Sequence, residues 1–489
     1  MAKPLTIATI SAEVAPFAKA GGQADVARSL PKALKRLGHN VIVIMPLHGV
    51  VDVEKHQLRK IAADVPVRID DKNTRLVNFW EGQLMEGLPI YFVDHQYYFG
   101  SRKYIYGSRQ DNARFMFFSL AALKLLTLLD WRPDLIHCHE WHTGLIPFFI
   151  RHRFKDNEFY RDIATLFTIH NLAFQMGQDW WTVSPEKKDY GRSRLPEFSN
   201  KDSIACINFA KRAILHADII NTVSEQYAQE IMTREFGQDL HRILTNRKDR
   251  VFGIINGIDY FDFNPLTDPG LHTNYDFNSL EKKANNKAFL QKTFGLPESV
   301  DTPLIGMVSR ITEQKGFDLI MEIIEPLMRL DFQLALVGGG DKKYENFFRR
   351  MAKKYPKNIA VHLKFDTGKA SQIYAGSDMF LMPSRFEPCG LGQLISLRYG
   401  SVPIVHATGG LVDTVTNFSQ KTMNGNGFVF KTYDTRDMLV AITRALETYK
   451  YKDVWQKLVV FGMQKSYSWE IPAKKYVKLY QLALKQARN

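Results

Sequence analysis

The chain has 489 residues, 45% of them hydrophobic and 24% charged, with a formal net charge of +14. That length allows two or three domains around large cores, and the composition is that of a globular chain. Lys and Arg are scattered with no run of five or more like charges, so the positive balance fits steering of an anionic substrate and not a nucleic-acid tail.

Cys138, Cys206 and Cys389 form no CxxC pair, which fits a reducing compartment and no structural metal. The N-terminus enters a strand without the long apolar core of a signal peptide, and no apolar run is long enough to span a bilayer. A cytoplasmic protein is expected, with neither nucleic acid nor membrane as partner.

Strand Leu5 to Ile10, loop Lys19-Ala20-Gly21-Gly22, a helix with Ala27, Leu30, Leu34 and Leu37 on one face, and strand Val41 to Met45 make a βαβ unit. Paired glycines let a backbone approach a diphosphate or sugar closely. The spacing is not GxGxxG, so a dinucleotide fingerprint is not supported. Lys19 by itself reads as a surface lysine. Between Asp52 and Gly107 the pattern turns alternating and aromatic, like an insertion of short antiparallel strands. A long apolar-faced helix is expected from Asn112 to Leu129.

Strand Asp134 to Cys138 ends in His139-Glu140-Trp141-His142. His137, His139, His142 and Glu140 invite a zinc reading, but His142 falls past the turn and no HExxH helix is present, so a polar sugar-pocket edge is favoured and no metal is expected. Strand Thr165 to Ile169 ends in His170-Asn171. A helix from Ile204 to His216 precedes strand Asp218 to Val223, and Val251 to Ile255 runs into the turn Asn256-Gly257.

A polar, Asp/Asn/Pro-rich stretch follows, which places a linker near Ile258. From Pro303 the βα rhythm restarts. Strand Leu304 to Val308 leads to a loop carrying Arg310 and Lys315, two charges placed where a diphosphate would lie against a helix N-terminus; a solvated loop is the plainer reading. Strands Gln333 to Val337 and Ile359 to Leu363 follow, each with its helix. Strand Met379 to Met382 then runs into Glu387-Pro388-Cys389-Gly390-Leu391 and a helix from Gly392 to Tyr399. In a parallel sheet this puts Glu387 and the helix's free N–H groups at the carboxyl edge. Two readings fit: Glu387 faces a polyhydroxyl ligand while the N–H groups face an anion, or it caps its own helix. Val402 to Val405 is another strand, Gly409-Gly410 another loop, and Ile471 to Ala487 an amphipathic helix with Ala473, Tyr476, Val477, Tyr480, Leu484 and Ala487 as its stripe. The pattern is α/β: two domains with loops at carboxyl edges, and a ligand cleft expected between them.

At this point the residues resemble the glycogen and starch synthases, the bacterial-type glycosyltransferase family 5. The likeness rests on KAGG at 19–22, HEWHTG at 139–144, FTIHNLAFQ at 167–175, NTVSEQYAQEI at 221–231, NGID at 256–259, SRITEQKGFDLI at 309–320, PSRFEPCGLGQL at 383–394 and TGGLVDTV at 408–415. It covers almost the whole chain in family order. It implies the GT-B architecture of two Rossmann-like doubly wound domains, at 1–258 and 259–465, with 466–489 returning to the N-terminal domain. It also implies metal-free, cofactor-free, retaining transfer of glucose from ADP-glucose or UDP-glucose to the nonreducing end of an α-1,4-glucan primer.

By the same resemblance, Lys19, Gly21 and Gly22 border the donor phosphate and sugar, and His170 lies at the glucose ring with Asn171 among the donor contacts. Arg310 and Lys315 bind the diphosphate, Glu387 holds sugar hydroxyls, and Gly390, Leu391 and Gly392 offer N–H groups to phosphate near Gly409 and Gly410. Phe365 stacks on the base. Glu140, at the family's usual Asp position, is expected to point into the cleft as a catalytic carboxylate. Two further departures are Ala20 for a common Thr and Gln23 for a common Leu. The competing expectations are another retaining GT-B transferase of the sucrose- or trehalose-synthase type, and a catalytically weak glucan-binding homologue.

Overall fold

The computed structural model describes residues 3–488. The chain divides between Asn256 and Gly257 and again between Ser468 and Trp469, against expected boundaries at 258 and 465.

The first unit is built on a nine-stranded sheet of order β3-β4-β5-β2-β1-β6-β7-β8-β9. Its strands are β1 Thr6–Ile10, β2 Asn40–Pro46, β3 Arg59–Arg68, β4 Thr74–Met85, β5 Leu88–Asp94, β6 Leu135–His139, β7 Ala164–Ile169, β8 Ile219–Thr222 and β9 Val251–Gly253. β5 pairs parallel to β2, and β4 runs antiparallel to both β3 and β5. The alternating stretch is therefore an extension of the main sheet and not a separate insertion. β1, β2, β6 and β7 are almost wholly buried and mostly apolar, as strands covered on both faces tend to be. The Ile204–His216 helix is two, Lys201–Ala205 and Phe209–His216, because Asn208 interrupts it and caps the second through the Lys211 N–H.

The C-terminal helix Glu470–Arg488 packs on this unit. Pro472, Ala473, Tyr476, Leu479, Tyr480 and Ala483 are its buried residues. Leu479 and Ala483 replace Val477, Leu484 and Ala487 of the expected stripe, which are only half-buried.

The second unit has a six-stranded, all-parallel sheet of order β12-β11-β10-β13-β14-β15. These are β10 Leu304–Val308, β11 Gln333–Val337, β12 Ile359–His362, β13 Met379–Met382, β14 Val402–His406 and β15 Phe428–Phe430. The order reverses between β10 and β13, and ligands of such sheets bind at the carboxyl ends of the strands flanking that reversal. In the first unit the corresponding reversal lies between β1 and β6. Among the described residues no helix is long and apolar enough to cross a membrane.

Candidate active site

In the first unit the loop after β1 is held by a residue that the motifs do not single out. Glu13 is buried, and its Oε2 accepts the N–H groups of Ala20 and, at 3.1 Å, of Gly21. Burial pushes the Glu13 carboxyl up to about 7, against the pull of those two N–H groups. Gly21 is the N-cap of the helix Gly22–Arg36, so Gly22 is its first helical residue and not part of the loop. Lys19 is turned to Asp25 at 2.7 Å, with its side chain 47% exposed.

The loop after β6 supplies Glu140, at φ 63° in the left-handed region. Its N–H donates to Thr168 O and its carbonyl accepts from Thr143 N, so the strained backbone is fixed on both sides. The carboxylate is buried. Oε1 accepts the N–H groups of His170 at 2.9 Å and Asn171 at 3.4 Å, while Oε2 makes no hydrogen bond to the described residues. Burial raises this carboxyl to about 8, opposed by those N–H groups and reinforced by Glu13. Glu140, expected to point into the cleft, reaches across to the end of β7 with Oε1 and keeps Oε2 without a hydrogen bond to the described residues.

His170 Nε2 lies 3.0 Å from His139 Nδ1. Burial lowers His170 to about 3 and holds His137, His139 and His142 well below the usual imidazole range. All four rings are neutral at pH 7. Their partners are rings and hydroxyls: His142 stacks on Tyr106 at 4.4 Å and His137 on His139 at 4.0 Å. Among the described residues no group of three or more His, Cys, Asp or Glu is disposed to hold a metal ion.

In the second unit the loops after β10 and β13 meet. Lys315 Nζ is 2.5 Å from Glu387 Oε2, which also accepts Ser384 Oγ at 3.0 Å. Glu387 is 6% exposed. The helix Gly392–Arg398 has Leu391 as N-cap with no side-chain cap bond, so Glu387 does not cap it. Arg310 is exposed, its Nη2 3.4 Å from Gln314 Oε1. Gly409 begins a helix, Gly409–Thr414, where a loop was expected. Its φ is +45°, and a Cβ there would stand 2.0 Å from Glu387 O. Gly410 N–H donates to the same carbonyl at 3.0 Å. Gly316, at φ +77°, packs as tightly on Pro383 O. Only glycine allows these loops to close on the Lys315–Glu387 pair. Gln393 Nε2 locks Gly390 from behind through the Cys389 and Gly390 carbonyls. Phe365, beyond β12, is 65% exposed.

Comparison with known proteins decides the family. The starch synthase catalytic domain matches residues 6–246 and the glycosyl transferases group 1 domain residues 291–458. A glycogen synthase from Desulforudis audaxviator is 43% identical over 99% of this chain and 97% of its own length. One from Moorella thermoacetica is 45% identical over 100% and 99%. The catalytic domain of starch synthase IV from Arabidopsis thaliana, solved with ADP and acarbose, superposes with a TM-score of 0.87 at 34% identity, covering 99% of this chain and 100% of that one.

The chain belongs to the glycogen and starch synthase family. It is a glycosyltransferase with that family's GT-B fold of two parallel-sheet α/β units. In this synthase the second unit gathers Lys315, Glu387, Gly390 and Gly409 around one pair of strand ends, and the first gathers Glu140, His170 and Asn171. Lys19, Arg310 and Phe365 stand at the same edges without a mutual contact. Glu13 escapes the motif reading, although an acid a few residues after the end of β1 is a signal. Gln23 is buried and donates from Nε2 to Ser11 Oγ at 3.0 Å, so it braces the loop. Ala20 contributes its N–H to Glu13, a role independent of side chain.

Proposed function

We propose that this synthase transfers glucose from ADP-glucose to the nonreducing end of an α-1,4-glucan with retention at the anomeric carbon, without a metal or other cofactor. The observation that carries the reading is the Lys315–Glu387 pair at the reversal of strand order in the second unit. There Lys315 and Arg310 take the diphosphate, and the N–H groups of Gly390, Leu391 and Gly392 take phosphate oxygens. Fixed cations and dipoles aimed at a leaving diphosphate stabilise the charge that develops as its bond to the sugar breaks. Glu387, with Lys315 drawn to phosphate, is free for sugar hydroxyls, and Gly409 and Gly410 shape its wall. Phe365 offers an exposed ring to the base.

In the first unit neutral His170 and the Asn171 edge border the sugar, Lys19 and the Gly21-Gly22 turn lie at the donor phosphate, and Glu140 Oε2 faces the reacting groups. The acceptor 4-hydroxyl attacks the anomeric carbon on the leaving-group face, and its proton passes to the departing phosphate oxygen. ADP is favoured over UDP because a relative at 34% identity was solved with ADP and acarbose. A reducing, cytoplasmic setting accords with three free cysteines.

Consumption of ADP-glucose and UDP-glucose, each with glycogen, fructose or glucose 6-phosphate as acceptor, tests the reading. ADP release with glycogen alone is expected. Equal or faster use of UDP-glucose would overturn the donor assignment, and transfer to fructose or glucose 6-phosphate the acceptor assignment.

A further inference from the structure

Behind His170 lies a fully buried polar network with no part in the substrate contacts proposed for this chain. It begins on the C-terminal helix. Asn221 Nδ2 donates to Thr222 O at 2.9 Å and Phe252 O at 3.3 Å, which turns Oδ1 the other way. That oxygen can only accept. Two hydroxyls meet it, Tyr476 Oη at 2.9 Å and Thr168 Oγ1 at 3.0 Å.

Thr168 has one proton and gives it to Asn221, so at its 2.7 Å contact with His137 Nε2 its oxygen accepts. His137 therefore carries its proton on Nε2. Its Nδ1 is an acceptor, and the Tyr480 hydroxyl donates to it at 2.9 Å.

His137 stacks on His139 with ring centres 4.0 Å apart, and His139 Nδ1 lies 3.0 Å from His170 Nε2. No group among the described residues meets His139 Nε2. A buried unpaired donor is rarer in proteins than an under-used acceptor, so the His139 proton sits on Nδ1 and is donated to His170. His170 then carries its own proton on Nδ1. Hydroxyls are not needed to seat the helix, since Ala473, Leu479 and Ala483 already bury it. Buried polar networks whose members are paired rigidify and specify one arrangement.

We propose that Tyr480 and Tyr476 of the C-terminal helix are positioning residues of the active site: through Asn221, Thr168 and the stacked His137–His139 pair they fix the orientation of the His170 ring. The proposal rests on the reading that His170 borders the transferred sugar.

Tyr480→Phe removes one oxygen and keeps the packing ring. It is expected to lower kcat roughly tenfold, as small misplacements of reacting groups do, with donor KM and thermal midpoint little changed. Tyr476→Phe, which leaves Thr168 donating to Asn221, is expected to cost less, about threefold on the same basis. Ring-nitrogen NMR of the histidines supplies the readout that packing alone would not move. His137 should carry its proton on Nε2 in the wild type and on Nδ1 in Thr168→Val, and Tyr480→Phe should shift the His139 and His170 ring signals. Wild-type kcat in Tyr480→Phe overturns the proposal, as does a loss of kcat with unmoved His139 and His170 signals. Wild-type kcat in His170→Ala would instead overturn the underlying role of His170.

Discussion

The two units place chemistry at the same topological point in opposite electrostatic states. At the β10/β13 reversal the groups are charged and partly open: Lys315 against Glu387, with Arg310 exposed beside them. At the β1/β6 reversal the groups are buried and mostly neutral: four imidazoles held below their usual range, and Glu13 and Glu140 held above theirs. Strand order decides where a site can lie, while depth of burial decides which protonation state it keeps. A permanent cation suits a diphosphate that is charged throughout the reaction. Neutral rings suit a sugar, whose hydroxyls exchange hydrogen bonds without a change of charge.

The largest expected effect breaks the charged side. Lys315→Ala and Arg310→Ala should each raise the barrier to turnover by on the order of 3 kcal/mol. They should differ in stability. Lys315→Ala leaves nearly buried Glu387 without its cation and should lower the thermal midpoint, whereas Arg310→Ala, exposed and weakly bonded, should not. Near-wild-type turnover at saturating donor in either variant would remove the diphosphate role.

The next effect belongs to the neutral side. Glu140 must ionise to meet positive charge on the sugar, so kcat/KM should rise with pH through about 8, where the free enzyme's Glu140 titrates. Glu140→Gln should abolish that rise and lower the high-pH rate roughly a hundredfold, within the usual range for acid–base groups. Because Oε1 reaches the His170 and Asn171 N–H groups only at full length, Glu140→Asp should cost rate as well, though less, since charge is kept. An unchanged pH profile in Glu140→Gln would leave Glu140 as a brace for the β7 loop and nothing more.

Stability should move against activity. Glu13 and Glu140 are raised from 4.5 to about 7 and about 8, so between those values the folded chain holds protons that the unfolded chain releases. The stabilisation is complete below about pH 4.5 and is lost as pH rises through 7 to 8, at up to about 1.4 kcal/mol per pH unit for each proton. Buried neutral histidines pull the other way near pH 6, so the test is a difference: between about pH 6 and about pH 9 the wild-type denaturant midpoint should fall relative to that of Glu140→Gln. A wild-type midpoint that keeps pace with that of Glu140→Gln over that range would mean that Glu140 is ionised when folded.

The smallest expected effect is none: turnover in excess EDTA should match the untreated enzyme, because the cations at the charged site are side chains. Loss of activity restored by a divalent ion would reopen a metal role for the residues around His137 to His142.

Much of this is legible in the residues. Apolar runs around Ile7, Ile42, Ile305, Leu334 and Leu381 mark the strands, since a strand buried on both faces has little other composition open to it. Gly-Gly pairs, Arg310, Lys315 and Glu387 fall at strand ends, and strand ends are where such sheets bind ligands. Local pattern taken alone fails in specific ways. The Asp52 to Gly107 stretch alternates like any antiparallel strand, and nothing local tells that β5 pairs with β2. Gly409 reads as loop because glycine is a poor helix former, yet its closeness to Glu387 O makes glycine necessary there.

The order of elements and the residue types at each strand end follow from the chain read linearly, because these depend on composition and spacing, and the family follows from the resemblance of its motifs. What each side chain meets came only with the packed fold: Lys315 on Glu387, Glu140 on the His170 backbone, Glu13 under Ala20 and Gly21, and Tyr480 on His137. The last two of these partners lie 343 residues apart, and no local pattern reaches across such a span. The protonation of Glu13, Glu140 and His137 follows from burial, which is a property of the folded core and not of any stretch of chain.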